Sequence, residues 1–417
     1  MKKTITRILS GICATALLLC GCTKNDVIDL TENAKKDITV CYDSPLGEKA
    51  STVADFSLTL LKKLYDNEKN VLISPLSVTE ALAMCANGAD SETLRQFSST
   101  FGISVEELTS YLKTYTESLP SDDNAKVKIA NSIWVNETYR FIPNDEFLAR
   151  ASDCFDAEVF ATPFDSSTAK SINNWVKEKT DKTIPEIVDK VPEDAIMYLA
   201  NALSFDAKWP TAYERDRVKD AVFTTESGDK IDCELMYSDE GTYISDENSC
   251  GFIKHFKNRG YAFAAILPNE GMTVKDYLET LDGEKLQGML RDSHSATVYA
   301  AIPKFEVEYS AELSDTLSAM GIIDAFDPNK ADFTKMGELT QAADGRLYIS
   351  RVLHKTYIQV AEQGTKAGAA TIAELLCGSA APTEPVFVYL NRPFVYMIID
   401  TEVNLPVFIG TIANLDI

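Results

Sequence analysis

The sequence predicts an α+β fold in a single large domain, and three observations carry that prediction. Helical patterns of apolar residues dominate the first part of the 417-residue chain, and short apolar runs typical of buried strands dominate the remainder. The two kinds of segment do not alternate, which argues against a doubly wound parallel sheet. After residue 45 no linker interrupts a chain that is 45% hydrophobic, so one extensive core is expected.

The helices are predicted from apolar residues that recur every three or four positions. The second helix has Ser77 as its expected N-cap and Glu80 three residues later, which is the spacing of a capping box. The last helix ends near Pro185, because proline cannot continue a helix. Helices are expected at 49–64, 77–86, 92–118 and 171–179.

The strands are predicted from one alternating segment and a series of short apolar runs. They are expected at 127–135, 197–205, 262–267, 296–301, 347–360, 386–390, 394–400 and 406–412. Because most of these runs follow the helices, the sheets are built largely from the second half of the chain.

The charge balance excludes some classes of partner. The chain has 63 acidic and 40 basic side chains, a net charge of −23. Nucleic acid binding needs clustered Lys and Arg, and surface attraction to anionic lipid needs the same, so neither is expected. The only three histidines are not spaced with cysteines as zinc ligands are, and we expect neither metal nor cofactor.

The N-terminus carries a processing signal. Lys2, Lys3 and Arg7 form a basic segment, and residues 8–19 are mostly apolar but too few to span a bilayer. The segment ends in Leu-Cys-Gly-Cys at 19–22, which resembles the lipobox of bacterial lipoproteins.

That resemblance implies removal of residues 1–21 and lipidation of Cys22; the alternative is an ordinary secretory signal with an incidental cysteine. Residues 22–45 are polar and are expected to form a flexible tether, followed by a single domain at 46–417. The protein is then expected to be exported and anchored to a bacterial membrane, with the outer membrane favoured and display at the cell surface an open alternative.

Six cysteines remain after processing and lipidation: Cys41, Cys85, Cys154, Cys233, Cys250 and Cys377. An oxidising compartment permits disulfides. The spacings are wide, however, and a chain of this size needs no covalent staples, so free or buried thiols are expected for most of them.

Residues 364–385 combine two properties that rarely occur together. From Gly364 to Thr371 the side chains are small, with no bulky apolar residue until Ile372, so an exposed loop is expected. No proline occurs from Gly364 to Ala381, so the loop is also competent to become a strand. Such a slim segment fits between existing strands of a sheet; a plain flexible surface loop is the alternative.

Motifs along nearly the whole chain, from about Ala50 to Leu415, resemble in order those of the serpin family. They are 70–77 (NVLISPLS), 131–135 (NSIWV), 172–176 (INNWV), 201–205 (NALSF), 208–210 (KWP), 302–305 (IPKF), 331–333 (ADF), 354–355 (HK), 362–365 (EQGT), 390–394 (LNRPF) and 408–410 (FIG). One departure is Leu415, where the family usually has proline. No single motif is decisive, but so many in the right order are specific.

The resemblance implies a serpin fold, with helices packed on a large central mixed sheet, two smaller sheets and an exposed reactive-centre loop. It also implies a suicide-substrate inhibitor, not an enzyme, that acts as a monomer. In the family a target serine protease attacks the loop and forms a covalent acyl complex. The cleaved loop then inserts into the central sheet and traps the distorted protease. The alternative is a non-inhibitory serpin acting as a binding or carrier protein.

The resemblance also implies a hinge at the start of the loop, where small residues favour insertion. Lys366 departs from the commoner acidic residue, but strand alternation directs it away from the face of Thr365. The hinge residues are Glu362, Gly364, Thr365, Ala367, Gly368, Ala369 and Ala370.

Two further groups are implied by matching motifs. Ser74, Ser77, Asn201 and His354 match a polar cluster under the central sheet, whose hydroxyl, amide and imidazole groups are expected to hold the sheet closed. The alternatives are helix caps for the serines, or half of a nucleophilic triad for Ser74 and His354, although no GxSxG turn accompanies Ser74.

Trp209, Lys304 and Glu362 match a gate at the top of the sheet, where the loop enters. An ion pair beside the large indole is expected to control that entrance. The alternative is an ordinary surface pair, worth less than about 1 kcal/mol.

Counting from Gly364 with the family spacing places the cleaved bond at Gly378–Ser379, with Leu376, Cys377 and Ala380 as alternatives. No flanking residue is basic, which disfavours trypsin-like enzymes. Small and medium apolar residues favour an elastase-like serine protease, and Leu376 or Cys377 leaves a chymotrypsin-like or a papain-like cysteine protease open.

Overall fold

The computed structural model describes residues 27–32, 34, 44–47, 49–341, 346–365 and 384–415. Within them the α-helices are α1 Ala50–Leu64, α2 Pro75–Asn87, α3 Ser91–Phe101, α4 Val105–Ser118, α5 Asp145–Phe155, α6 Thr168–Lys179, α7 Val274–Glu279, α8 Gly283–Arg291 and α9 Ser314–Ala319. The strands are β1 Ile28–Asp29, β2 Val71–Ile73, β3 Ala125–Asn136, β4 Phe141–Pro143, β5 Glu158–Thr162, β6 Met197–Ala207, β7 Val218–Thr224, β8 Lys230–Asp246, β9 Ser249–His255, β10 Tyr261–Pro268, β11 His294–Pro303, β12 Phe305–Glu312, β13 Gly337–Leu339, β14 Arg351–Val360, β15 Val386–Tyr389, β16 Phe394–Asp400 and β17 Pro406–Ile412.

The second helix begins earlier than predicted. Ser74, not Ser77, is the N-cap, and its hydroxyl accepts a hydrogen bond from the Ser77 N–H at 3.3 Å. Pro75 occupies the first helical position, where its fixed φ suits a helix and its missing N–H is not needed. The capping box predicted for Ser77 and Glu80 is therefore wrong, and both side chains lie inside the protein.

The central sheet has six strands in the order β1-β5-β3-β6-β14-β12. At its middle β6 pairs antiparallel with β3 and parallel with β14. The β3–β5 pair is also parallel, so the sheet is mixed. The parallel strands β6 and β14 are far apart in sequence.

The remaining strands form one sheet of nine strands and a small two-stranded sheet, β13-β4. The predicted α+β class and fold are confirmed, and the larger of the two other sheets has more strands than the central one. The reason is β8, whose 17 residues pair with β7, β9 and β11 and so join strands that would otherwise form separate sheets.

Both faces of the central sheet are covered. Helix α2, buried at nearly every residue, lies between β3 and β6 on one side and β17 on the other. On the opposite face α6 and the segment after it pack Ile172, Trp175 and Val188 against Trp134 and Tyr198 of the sheet. A strand that enters this sheet must therefore pass between two packed layers.

Part of the expected tether is ordered. Ile28 and Asp29 pair antiparallel with Ala161 and Phe160 of the edge strand β5, and the Leu30 N–H donates to the Val159 carbonyl at 2.8 Å. An edge strand presents unpaired backbone groups, and this short apolar segment satisfies them. The tether expected over 22–45 differs from the structure at these residues.

The cysteines behave largely as expected where they are described. Cys85, Cys233 and Cys250 are free thiols, whereas Cys154 is disulfide-bonded. In the described part of the chain, no helix combines the length and apolar character that crossing a bilayer would require.

Candidate functional site

The central sheet is split at one end. The ladder between β6 and β14 runs from Tyr198 opposite Arg351 to Leu203 opposite Thr356 and then stops. The last four residues of each strand, 204–207 and 357–360, have no ladder between them in the described structure. We call the whole boundary between β6 and β14 the seam; its unpaired end can receive another strand.

The segment after β14 turns directly into the open end of the seam. The Thr365 N–H donates to the Ala207 carbonyl at 2.8 Å, and the Ala207 N–H donates to the Thr365 hydroxyl at 2.9 Å. Gly364 lies against Lys208 with φ of +143°, and a Cβ there would approach the Ala207 oxygen to 2.0 Å. Only glycine fits this turn. The hinge residues Gly364 and Thr365 therefore lie at the mouth of the seam.

The expected gate residues also lie at this mouth. Lys304 forms ion pairs with Glu362 and, at 2.9 Å, with Glu234. The Trp209 indole N–H donates to the Ala361 carbonyl at 3.0 Å, and the Trp209 backbone N–H donates to the Gln363 carbonyl. The Lys304–Glu362 pair is partly exposed, at 27% and 39%, so solvent screens it.

Beneath the gate lies a second ion pair that the sequence did not reveal. Lys254 and Glu240 are 2.6 Å apart, with only 10% and 11% of their side chains exposed. The Lys254 ammonium lies 5.2 Å from the Trp209 ring centroid and 5.0 Å from that of Tyr213. Burial opposes the charge on Lys254, but Tyr213 and Glu240 outweigh it and raise its pKa. Trp209 is also stacked on Phe256 at 4.5 Å, so the indole is held on both sides.

Under the seam, the predicted polar cluster forms one connected chain of hydrogen bonds. The Ser74 N–H donates to His354 Nε2 at 3.2 Å, and His354 Nδ1 lies 3.0 Å from Asn201 Oδ1. Because Nε2 accepts, the neutral ring carries its proton on Nδ1 and donates it to Asn201. The Asn201 amide in turn donates to the Ser77 carbonyl at 2.7 Å. All four predicted residues are thus brought together.

The serines contribute backbone groups instead of the expected hydroxyls. The Ser74 hydroxyl caps α2, and the Ser77 hydroxyl is buried without a hydrogen-bond partner among the described residues. Ser74 is fully buried and does not present its hydroxyl to His354, so the pair gives no support to a nucleophilic triad. Burial lowers the pKa of His354 to about 3, which keeps the ring neutral at ordinary pH.

Two residues extend this chain beyond what the sequence indicated. The Asn201 amide also donates to Asn131 Oδ1 at 2.6 Å, and the Asn131 amide donates to Glu80 Oε2 at 2.9 Å. The signal for Asn131 is a polar residue at an inward position of a strand, within one of the motifs already noted. We call the hydrogen-bonded set Ser74, Ser77, Glu80, Asn131, Asn201 and His354 the relay.

Several predicted sites lie outside the described residues: Cys22, the hinge residues 367–370, and the bond Gly378–Ser379 with its alternatives. They remain predictions from the sequence.

Comparison with known proteins agrees with these features. The family model described as "Serpin (serine protease inhibitor)" matches residues 51–415. The native state of the thermophilic serpin tengpin has a similar structure, with a TM-score of 0.86 and 43% identity over 93% of this chain and 100% of that one.

Curated relatives are more distant in sequence. Alpha-1-antichymotrypsin of Pongo abelii is 28% identical over 98% of this chain and 96% of its own length. The leukocyte elastase inhibitor of Homo sapiens is 28% identical over 88% of this chain and 100% of its own length.

Proposed function

Because the chain belongs to the serpin family, whose members are generally protease inhibitors, we propose that it is a suicide-substrate inhibitor of serine endopeptidases. The protease serine hydroxyl attacks the carbonyl carbon of Gly378, and the bond to Ser379 breaks. The new amine of Ser379 leaves with the proton, and an ester joins the protease to the inhibitor. Insertion of the cleaved loop then distorts the protease before water can hydrolyse that ester.

The observation that carries this proposal is the position of Thr365 at the mouth of the seam. β14 ends at Val360, the chain reverses over 361–364, and Thr365 bonds to Ala207, the last residue of β6. A strand continuing from Thr365 therefore runs antiparallel to both β6 and β14. The unpaired backbone of 204–207 and 357–360 is the first that it would meet, and each new ladder bond stabilises the inserted state.

An elastase-like target is supported by the small and apolar residues around the predicted bond. Relatives of this chain include proteins named leukocyte elastase inhibitor and alpha-1-antichymotrypsin.

We also propose that the inhibitor is exported and anchored to the membrane through Cys22. The lipobox-like sequence motivates this proposal. The disulfide at Cys154 supports export, since disulfides persist mainly outside the reducing cytoplasm.

The proposal is tested by mixing the protein with leukocyte elastase and, separately, with trypsin. A covalent complex that survives SDS and boiling with elastase but not with trypsin is the expected result. Cleavage of the loop without a stable complex would favour the carrier alternative. Hydrolysis of an added peptide by the protein alone would contradict both.

A further inference from the structure

Glu80 is a buried carboxyl group in helix α2, which has no other acidic or basic residue. Its residue is 2% exposed, and none of the ion pairs between described residues includes it. Among the described residues, its carboxyl oxygens accept hydrogen bonds only from the Thr116 hydroxyl of α4 and the Asn131 amide of β3. A carboxyl group in such a place is costly to bury, so its contacts should account for its presence.

The relay has a direction, and it ends on Glu80. The Ser74 N–H, the His354 Nδ1–H, the Asn201 amide and the Asn131 amide each donate to the next member toward the carboxyl group. A carboxylate can only accept, so it fixes which side of each asparagine amide carries the donor. Protonated Glu80 keeps this direction, because its carbonyl oxygen still accepts from Asn131.

Helix α2 is bound to both sides of the seam through this relay. On the β14 side, Ser74 holds His354, and the Thr356 hydroxyl also donates to the Leu72 carbonyl at 2.8 Å. On the β6 side, Glu80 holds Asn131 and the Ser77 carbonyl holds Asn201. A new strand moves the two sides apart by about 4.8 Å, so one set of bonds must release.

We propose that Glu80 is a positioning residue for sheet opening: its buried carboxyl group accepts the hydrogen bond that holds the β6 side of the seam on α2, and ionisation favours release because a buried charge is costlier to keep from water than a neutral carboxyl group. This inference rests on the proposed inhibitory mechanism. Helix α2 follows directly on β2, which contacts β12 and β14 and pairs with β17, so α2 stays with the β14 side of the seam. Asn131 therefore leaves Glu80 as the sheet opens, and water then hydrates the carboxyl group.

Opening of the sheet is therefore coupled to pH. Burial raises the pKa of Glu80 to about 7 in the closed protein; hydrogen bonds from Thr116 and Asn131 oppose the rise, and Asp156 adds to it. A raised carboxyl pKa stabilises the closed form fully below the hydrated value, near 4.5, and this stability is lost as pH rises toward 7. His354 stays neutral over that range, so Asp156 is the other charged group that acts on Glu80.

The test measures sheet opening without a protease. A fluorescent peptide with the sequence of residues 365–376 is incubated with the uncleaved full-length protein, and its rate of annealing into the sheet is followed between about pH 5 and 8. The rate should rise with pH, by about tenfold for each unit by which opening lowers the Glu80 pKa. The isosteric variant Glu80→Gln should anneal slowly at every pH.

Two further variants separate this role from a merely structural one. Thr116→Val removes a hydrogen bond that lowers the Glu80 pKa, so the midpoint of the profile should move to higher pH, whereas Asp156→Asn should move it lower. Glu117→Gln, next to Thr116 but 64% exposed in its side chain, is the matched control and should keep the wild-type profile.

A wild-type pH profile in Glu80→Gln, or an unmoved midpoint in Thr116→Val, would overturn the inference. If Glu80→Gln fails to fold, the midpoints of the pH profiles of the Thr116 and Asp156 variants test the inference. Annealing with the expected profile in a protein that forms no complex with elastase would refute the proposed function and leave this inference standing.

Discussion

Asn201 and His354 face each other directly across the seam, as register partners of β6 and β14 and as a hydrogen-bonded pair at 3.0 Å. Neighbouring strands are about 4.8 Å apart, and a strand inserted between them doubles that distance. This hydrogen bond must therefore break on insertion, whereas the β3–β6 ladder can stay intact. The pair is a latch at the position where the sheet opens.

Removing the amide of Asn201 should destabilise the native protein. In Asn201→Ala the Asn131 oxygen, the Ser77 carbonyl and the His354 Nδ1–H lose their partner in the core. Each buried group left unpaired costs about 1–3 kcal/mol, so we expect a clear fall in the free energy of unfolding in urea. Asn67→Ala, at an exposed position, is the control and should change little; equal stability of the two variants would contradict a role for the latch.

Blocking Thr365 should convert the inhibitor into a substrate. Thr365 is buried and its hydroxyl accepts from the Ala207 N–H, so Thr365→Arg removes that bond and forces a long charged side chain into the mouth of the seam. We expect the fold to persist and elastase to cleave the loop without being trapped. The measurement is the number of inhibitor molecules consumed for each protease molecule inactivated, which should rise in this variant. Thr365→Ser keeps the hydroxyl and should remain an inhibitor. Unchanged trapping by the arginine variant would count against entry through this mouth.

The two ion pairs near the gate should differ in their effect on stability. Lys304→Ala removes a partly exposed pair, and the loss should be below about 1 kcal/mol. Lys254→Met leaves the Glu240 carboxylate buried without its partner, which costs about 3–5 kcal/mol. Unfolding of both variants in denaturant measures the two losses of stability. A larger loss for Lys304→Ala than for Lys254→Met would contradict the conclusion that the buried Lys254–Glu240 pair is the one that stabilises the fold.

Lipidation at Cys22 should decide where the protein is found. Cys22→Ala removes the only proposed attachment site, so the variant should leave the membrane fraction and appear in the soluble one. Cys85→Ala, which changes a buried free thiol in the domain, should stay with the membrane. Retention of Cys22→Ala on membranes would rule out this anchor.

Local patterns predicted many of the elements, and long-range contacts explain the errors. Helix α1 and strands β6 and β16 have continuous or periodic apolar sequences, so the local sequence alone predicts that they are buried. The sequence places Glu80 in a helix cap, because nothing in the local pattern shows that Thr116 and Asn131 reach it from other elements. Strand β8 was not predicted, since most of its side chains are only partly buried and its sequence has no sustained apolar face.

In the candidate site, too, the sequence predicts which residues are involved but not the long-range contacts between them. The family resemblance grouped Ser74, Asn201 and His354, but the direction of the hydrogen bonds and the use of backbone groups depend on the register between β6 and β14. That register is set by tertiary packing, so no local pattern contains it.

Insertion of the cleaved loop into the open end of the seam should stabilise the protein, because each new ladder bond pairs backbone that the native sheet leaves unpaired. The most direct measurement cleaves the loop with a protease that is not trapped and compares thermal unfolding before and after cleavage, with Thr365→Arg as the variant that cannot insert. We expect a much higher melting temperature for the cleaved wild-type protein and little change for the variant. An unchanged melting temperature in the cleaved wild-type protein would contradict this expectation.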